Sequence, residues 1–299
     1  MSMNKWDSNN IPDQRGKVII VTGSSSGIGF EAARVLASKN ATIIIAVRNM
    51  EKGNAAANKI RAQHNNSDIQ VMELDLASLE SVRVFASRFK EKYEKLDILI
   101  NNAGVMIPPY SKTDDGFELQ FGTNHLGHFA LTGLLMEFLN KSNEARIVNV
   151  SSAAHKYGKI DFADLNWEKR KYKPISAYGD SKIANLYFTY ELKRKLEKSK
   201  SNVKVTAAHP GWTATDLQRH SSIFEFLNKF FAMQIWQGAL PTLKAAFDNE
   251  AQSGDYYGPD GWQEWRGYPQ KVESNKLSHD KIIAEKLWDV SEKMTGVKY

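Results

Sequence analysis

Short apolar runs rich in Val and Ile alternate along the chain with stretches whose apolar residues recur every three or four positions. Residues 17–22 (KVIIVT), 41–47, 69–74, 96–100, 146–150 and 203–209 read as strands. Between them, residues 30–39, 54–63, 78–93, 117–139 and 177–198 carry helical spacing; in 78–93 it sets Val82, Phe85, Ala86 and Phe89 on one stripe. A further apolar segment, 224–247, reads as helical, a Gly- and Trp-rich stretch follows at 256–269, and 281–295 forms a last helix. The strands are apolar on both faces, as parallel strands covered by helices on each side must be. The pattern predicts an α/β architecture, a doubly wound Rossmann fold with a central, mostly parallel sheet of about seven strands flanked by helices on both faces. No repeat of solenoid period and no low-complexity linker interrupts it, so residues 1–299 are expected to form a single domain.

Composition narrows the class. Hydrophobic residues at 42% and charged residues at 25% describe an ordinary soluble globular chain. There is no cysteine, which excludes disulfides, thiolate nucleophiles and Cys-ligated metals, and fits a reducing, cytoplasmic setting. Residues 1–16 are polar and the apolar runs have only strand length, so neither a signal peptide nor membrane insertion is expected. The net charge of +6 draws on basic clusters at 169–173 and 193–200. Neither cluster carries a nucleic-acid motif, and no nucleic-acid partner is expected. A modest positive field does help to attract a polyanionic small molecule.

The candidate chemistry begins where the first strand ends, at Thr22, Gly23, Ser24, Ser25, Ser26, Gly27, Ile28 and Gly29. Glycines at a strand-to-helix turn let the backbone bend sharply and approach a pyrophosphate, which then rests on the exposed amides of the helix. At the end of the second strand, where an acidic side chain would bond the ribose 2′-OH of NAD, the chain has Val47 and then Arg48. The planar fork of a guanidinium suits a 2′-phosphate, which makes NADP(H) the expected cofactor. Tyr178 and Lys182 stand four apart on a helix and project from one face. An ammonium beside a phenol, together with a positive oxidised nicotinamide, favours the phenolate, which can exchange a proton with a substrate oxygen. Ser151 and Ser152 end the fifth strand, and alternation sends only one of them into a pocket. His125, His128 and Glu137 lack a convincing ligand spacing, so no metal site is expected. The absence of a G-x-S-x-G elbow argues against a hydrolase.

Taken together and in this order, the motifs resemble those of the short-chain dehydrogenase/reductase family. Residues 22–29 match its TGxxxGxG, residues 101–104 its NNAG, Tyr178 and Lys182 its YxxxK, with Asp75, Leu76, Asn124, Ser152, Pro210 and Gly211 at matching positions. The resemblance runs from about residue 17 to about residue 215. It implies an NADP(H)-dependent oxidoreductase in which Tyr178 is the general acid and base, Ser152 holds the substrate oxygen, and Asn124 holds a water in a proton relay from Lys182. Cofactor contacts are implied for Gly23, Ser25, Ser26, Gly27, Ile28, Gly29, Arg48, Asp75, Leu76, Asn102, Ala103, Gly104, Tyr178, Lys182, Pro210 and Gly211, and for Thr213 or Thr215 at the nicotinamide carboxamide. NMEKG at 49–53, NHLGHF at 124–129 and a long excursion between Ser152 and Tyr178 are similar to the branch that contains retinol dehydrogenases and the WW-domain-containing oxidoreductase. That branch implies a small-molecule substrate of apolar character, an aldehyde, ketone or retinoid.

On this reading residues 16–215 are the cofactor and catalytic core and 216–299 the substrate lid and C-terminal elements. Phe224, Phe226, Leu227, Phe230, Phe231, Met233 and Trp236 fall where the family folds its lid. The family commonly pairs through the helices bearing Asn124 and Tyr178. Ile183, Leu186, Tyr187 and Tyr190 cover either such a face or the sheet, which leaves a homo-oligomer open. The rival readings are a catalytically silent NADP-binding redox sensor and a light-dependent protochlorophyllide-type reductase.

Overall fold

Burying those apolar runs on both faces yields one sheet in the computed structural model, which describes residues 5–65, 67–213 and 233–299. Strands β1 (Val18–Thr22), β2 (Thr42–Val47), β3 (Ile69–Glu73), β4 (Ile98–Asn101), β5 (Arg146–Val150), β6 (Lys204–Ala208) and β7 (Tyr256–Pro259) pair in parallel in the order β3-β2-β1-β4-β5-β6-β7. An eighth strand, β8 (Pro269–Val272), adds antiparallel to β7 at the edge. The sheet among the described residues is therefore one strand wider than the hydrophobic pattern indicates. β8 is short, opens on a proline and exposes Gln270 and Lys271, so it carries no apolar alternation to read.

Helices α1 (Gly27–Ala37), α2 (Met50–Gln63) and α6 (Ile235–Phe247) bury Leu36, Ile60 and Leu243 against Ile19, Ile43 and Ile45 on one face. On the other, α3 (Leu79–Lys92), α4 (Gly127–Asn140) and α5 (Pro174–Lys198) pack Phe85, Phe129 and Phe188 against Ile20, Leu99 and Ile147. α7 (Lys281–Thr295) lies outside α5 and adds Trp288 to that core. Local chemistry sets the helix starts. Asn49 accepts from Lys52 N at the head of α2, Ser78 from Ser81 N at α3, and Asp280 from Ile282 N and Ile283 N at α7, while Pro174 opens α5 where a missing N–H costs nothing. Ile183 and Tyr187 pack on Ala284 and Leu287 of α7, and Leu186 and Tyr190 on Ala207 and Tyr256. These four side chains are thus engaged within the chain. Among the described residues no helix is long and apolar enough to cross a membrane.

Two departures from the pattern bear on the site. The helix expected over 117–139 is broken: a single turn at Leu119–Phe121 passes through a π-turn at Gly122–Leu126 before α4 begins. Asn124, a polar residue inside an apolar helix, sits in that π-turn. The long excursion after Ser152 is also strongly tied down. Asp164 accepts from the amides of Glu168, Lys169 and Arg170, the Arg170 guanidinium lies 3.5 Å over the Trp167 ring and also reaches Asp180 of α5, and Asp180 accepts from Lys159 N. At the far end Tyr172 Oη donates to buried Glu118.

Gly158 seats this segment on α5: a Cβ there would strike the Gly179 carbonyl and Ile183, one residue beyond Tyr178. Gly158→Ala is expected to destabilise the fold by about 1–3 kcal/mol, because backbone rather than a flexible side chain must give way. Urea unfolding of the two proteins checks this, and an unchanged midpoint would show that the excursion is not fixed there.

Candidate active site

The carboxyl ends of β1, β4 and β5 flank the point where strand order reverses between β1 and β4, the place where open α/β sheets bind ligands. α5 is fastened there by three hydrogen bonds. Lys182 Nζ and Asn185 Nδ2 each donate to Val150 O at 3.1 Å, and Ser151 Oγ donates to Lys182 O at 2.8 Å. Ser151 is therefore buried against the helix, and strand alternation turns Ser152 the other way, where it is partly open and caps the following turn at Ala154 N.

Tyr178 and Lys182 share one face of α5, with the ammonium 5.6 Å from the phenol ring centroid. Burial pushes the Tyr178 phenol up to about 12, with the Ser152 hydroxyl pulling the other way. Burial also lowers the Lys182 ammonium to about 8. In the protein's own groups burial is thus the largest influence on the phenol, before the positive nicotinamide that the sequence reading counts beside the ammonium.

Asn124 is fully buried and clasps Val105, accepting from its amide at 2.8 Å and donating to its carbonyl at 3.0 Å, with a further bond to Ser181 Oγ. Its carboxamide and the Lys182 ammonium both abut Gly104, where an added Cβ would lie 3.0 Å from Asn124 Oδ1 and 3.6 Å from Lys182 Nζ. Thr22 joins this group to the glycine turn: its hydroxyl accepts from Asn102 N and Ala103 N at 2.9 Å, and Asn102 Nδ2 donates to Thr22 O at 2.8 Å. The sequence motifs marked Thr22 only as the start of a turn; its hub position comes from bonds to residues far along the chain.

The glycine turn has the shape of an anion cradle. Gly23 and Gly27 adopt φ of +66° and +61°, and a Cβ at Gly29 would come within 2.5 Å of Asn102 Nδ2 and 2.7 Å of Gly23 O. Ser26 heads α1 without making a side-chain cap, so the first-turn amides of Gly27, Ile28 and Gly29 are left for an external acceptor. These residues fit a dinucleotide pyrophosphate. Arg48 is exposed, its Nε 3.9 Å from Asp75, and Asp75 and Leu76 follow β3 on the same rim. On the opposite rim Gly211 takes φ +63°, the buried Thr213 hydroxyl donates to Pro210 O, and Trp212 N donates to Trp265 O. Thr215, Phe224, Phe226, Leu227, Phe230 and Phe231 lie outside the described residues. Met233 is buried beside Gly267, and Trp236 is exposed at the start of α6.

Histidines to which the motifs gave no role in the site lie beside these groups. His155 Nδ1 lies 2.7 Å from Ser152 O, while its Nε2 accepts from Asn275 N. His209 accepts from Gly211 N and lies 2.8 Å from Glu264. His128 lies 3.0 Å from Asn124 O and 2.9 Å from Thr22 Oγ1.

Residues 17–225 match the family described as short chain dehydrogenase. The chain is 46% identical over 289 residues to retinol dehydrogenase 12 of Mus musculus, covering 95% of this chain and 88% of that one. To retinol dehydrogenase 13 of Homo sapiens it is 43% identical over 294 residues, covering 95% and 86%. Among solved structures, an uncharacterized protein from Mycobacterium paratuberculosis superposes with a TM-score of 0.85 at 40% identity over 99% of each chain. A short chain dehydrogenase from Shigella flexneri complexed with NADP gives 0.66 at 25% identity, over 82% of this chain and 97% of that one.

Burial lowers His125 to about 3, and His128 and His155 to about 4, from the ordinary 6.5. Unfolding frees them to bind protons that the native state refuses, so stability is complete above about pH 6.5 and falls as the pH drops toward 4. At pH 5.5 each is expected to remove about 1 kcal/mol, and the three together a few kcal/mol. Urea denaturation at pH 7.5 and 5.5 measures the difference, and equal stabilities at the two values would contradict the neutral, buried state of these rings.

Proposed function

The chain belongs to the short-chain dehydrogenase family, and on that premise we propose that it is an NADP(H)-dependent oxidoreductase acting between the carbonyl and alcohol forms of an apolar small molecule, an aldehyde, ketone or retinoid. The observation that carries this reading is the meeting of Tyr178, Ser152, Lys182 and Asn124 above β4 and β5, next to an uncapped, glycine-lined helix start. The bound dinucleotide supplies or accepts the hydride. Gly23, Gly27, Ile28 and Gly29 hold its pyrophosphate with main-chain amides, and Arg48 answers the 2′-phosphate, in keeping with the NADP carried by the Shigella flexneri relative. The relatives named retinol dehydrogenase support the apolar substrate class.

The resting protonation supports reduction as the working direction. A phenol held near 12 donates its O–H to a substrate oxygen poised at Ser152, as a carbonyl reduction requires. The charged Lys182, anchored at Val150 O, then stabilises the negative charge left on Tyr178 Oη. Asn124 keeps the Gly104–Val105 turn at a fixed distance from that ammonium. The cysteine-free chain suits a cytoplasm in which NADP is kept reduced.

A screen of NADPH oxidation against mixed aldehydes and ketones tests the assignment. Tyr178→Phe is expected to lower kcat/KM at least about 100-fold with NADPH binding intact, since it removes the proton donor alone. Turnover that survives this change would sink the assignment. Arg48→Ala should raise the KM for NADPH about tenfold or more and leave that for NADH near its original value. Reduction should hold level through neutral pH and decline above about pH 8, as Lys182 loses its proton.

A further inference from the structure

A hydrogen-bond count at Thr22 fixes the state of a buried histidine. Thr22 Oγ1 accepts from Asn102 N and Ala103 N, both at 2.9 Å, which uses both of its lone pairs. Its single proton has two acceptors in reach, His128 Nε2 at 2.9 Å and Ile100 O at 3.3 Å, and the nearer is the histidine. His128 Nε2 is then a bare acceptor and Nδ1 carries the hydrogen, which it donates to Asn124 O at 3.0 Å. The ring, 2% exposed, thus spans two groups of opposite demand with neither nitrogen left over. Burial, with the Lys182 charge adding to it, lowers His128 to about 4, so the ring is uncharged at neutral pH.

The span matters because of where Asn124 sits. In the π-turn, Gly127 N donates back to Gly122 O, so the main chain at Asn124 leaves ordinary helical register and the helix alone does not set its position. Its side chain nonetheless has to grip Val105 and abut Gly104 beside the Lys182 ammonium. We propose that His128 is a positioning residue that clamps the main chain of Asn124 to the end of β1 through Thr22, coupling the glycine turn and the Asn102–Gly104 segment to the proton-handling side of the site. This rests on the reductase reading above and names a residue that reading does not use.

The two halves of the clamp separate by substitution in the full-length chain. His128→Gln sets an amide near the former Nε2, keeping a partner for Thr22 but withdrawing the donor from Asn124; His128→Asn sets one near Nδ1, keeping that donor and withdrawing the partner from Thr22. NADPH affinity is read by fluorescence titration without turnover, kcat with a reducible aldehyde, and fold integrity by thermal melting. His128→Gln should lose about tenfold in kcat with the NADPH Kd within about threefold of the original, a loss in the range of one hydrogen bond. His128→Asn should weaken NADPH about fivefold with kcat nearly retained, the smaller effect because Ile100 O can take the Thr22 proton. Parallel losses in both quantities that track a lowered melting temperature would reduce His128 to a packing residue, and no change in either, or the reverse assignment, overturns the clamp. An original protein that binds NADPH but reduces no carbonyl compound defeats the reductase reading instead, and the Kd comparison of the two variants still decides the Thr22 half of the clamp.

Discussion

The last carbonyl of β5 takes two hydrogen bonds from α5, one from the Lys182 ammonium and one from the Asn185 amide. An ammonium that is 3% exposed cannot be left without an acceptor, so the position of the helix over the sheet edge is not free to slide. One turn earlier on the same helix stands Tyr178, and two residues beyond Val150 on the strand side stands Ser152. The bonds that satisfy Lys182 are therefore what bring the phenol and the hydroxyl together. Ser151 reinforces the joint by donating to the main chain of Lys182 itself. A single docking requirement of a buried charge thus aligns the candidate catalytic groups, which come from two different elements.

Around this joint the sheet edge is threaded with buried polar side chains. Asn101 donates to Thr132 and Asn149, Asn149 to Thr189, and Thr189 to Asn185 O, so β4, α4, β5 and α5 are cross-linked below the site. Each such bond contributes only about 1 kcal/mol net, but a buried partner deprived of its bond costs more than that, so the network resists partial rearrangement. Rigidity of this kind is what a proton donor needs, because small displacements of a donor from its acceptor weaken transfer steeply. The excursion after Ser152 extends the frame outward through Asp180, Arg170 and Asp164, using a buried carboxylate on α5 two residues beyond Tyr178.

What the sequence revealed follows from the range of the interactions involved. β1 and its glycine turn, α3 with its Val82, Phe85 and Phe89 stripe, and the shared face of Tyr178 and Lys182 are products of local periodicity and turn chemistry, and outside 117–139 and 224–247, of which the first part lies beyond the described residues, the strands and helices fall within a few residues of their expected ends. The choice of Ser152 over Ser151 for the open face follows from strand alternation, once the helix partner of Ser151 is seen. The π-turn at Asn124 was not legible, because apolar spacing across 117–139 is nearly the same whether one extra residue is looped out or not. β8 was hidden by its polar, proline-led sequence. The roles of His128, His155 and His209 were hidden for a different reason: each acts through atoms of residues distant in the chain, and no spacing rule encodes whether a histidine ring ends between Thr22 and Asn124 or in solvent.

Burial acts on the two titrating groups of the site in opposite directions, and their order of ionisation follows. Free tyrosine and lysine side chains lose protons at similar pH, near 10. Here the phenol rises to about 12 and the ammonium falls to about 8, because each neutralises in the direction that avoids a buried charge. Raising the pH therefore strips Lys182 first, and the site loses its positive charge while Tyr178 still holds its proton. On the reductase reading proposed above, these groups suit Tyr178 to donate a proton. On the same reading alcohol oxidation requires the phenol to give up its proton, which Lys182, Ser152 and the positive charge of an oxidised nicotinamide would ease. In the proposed reduction, donation to a carbonyl oxygen leaves a charge on Tyr178 that the lysine anchored at Val150 O is placed to balance. The asymmetry is a property of where α5 docks, and it would weaken with any change that let water reach the Tyr178 hydroxyl.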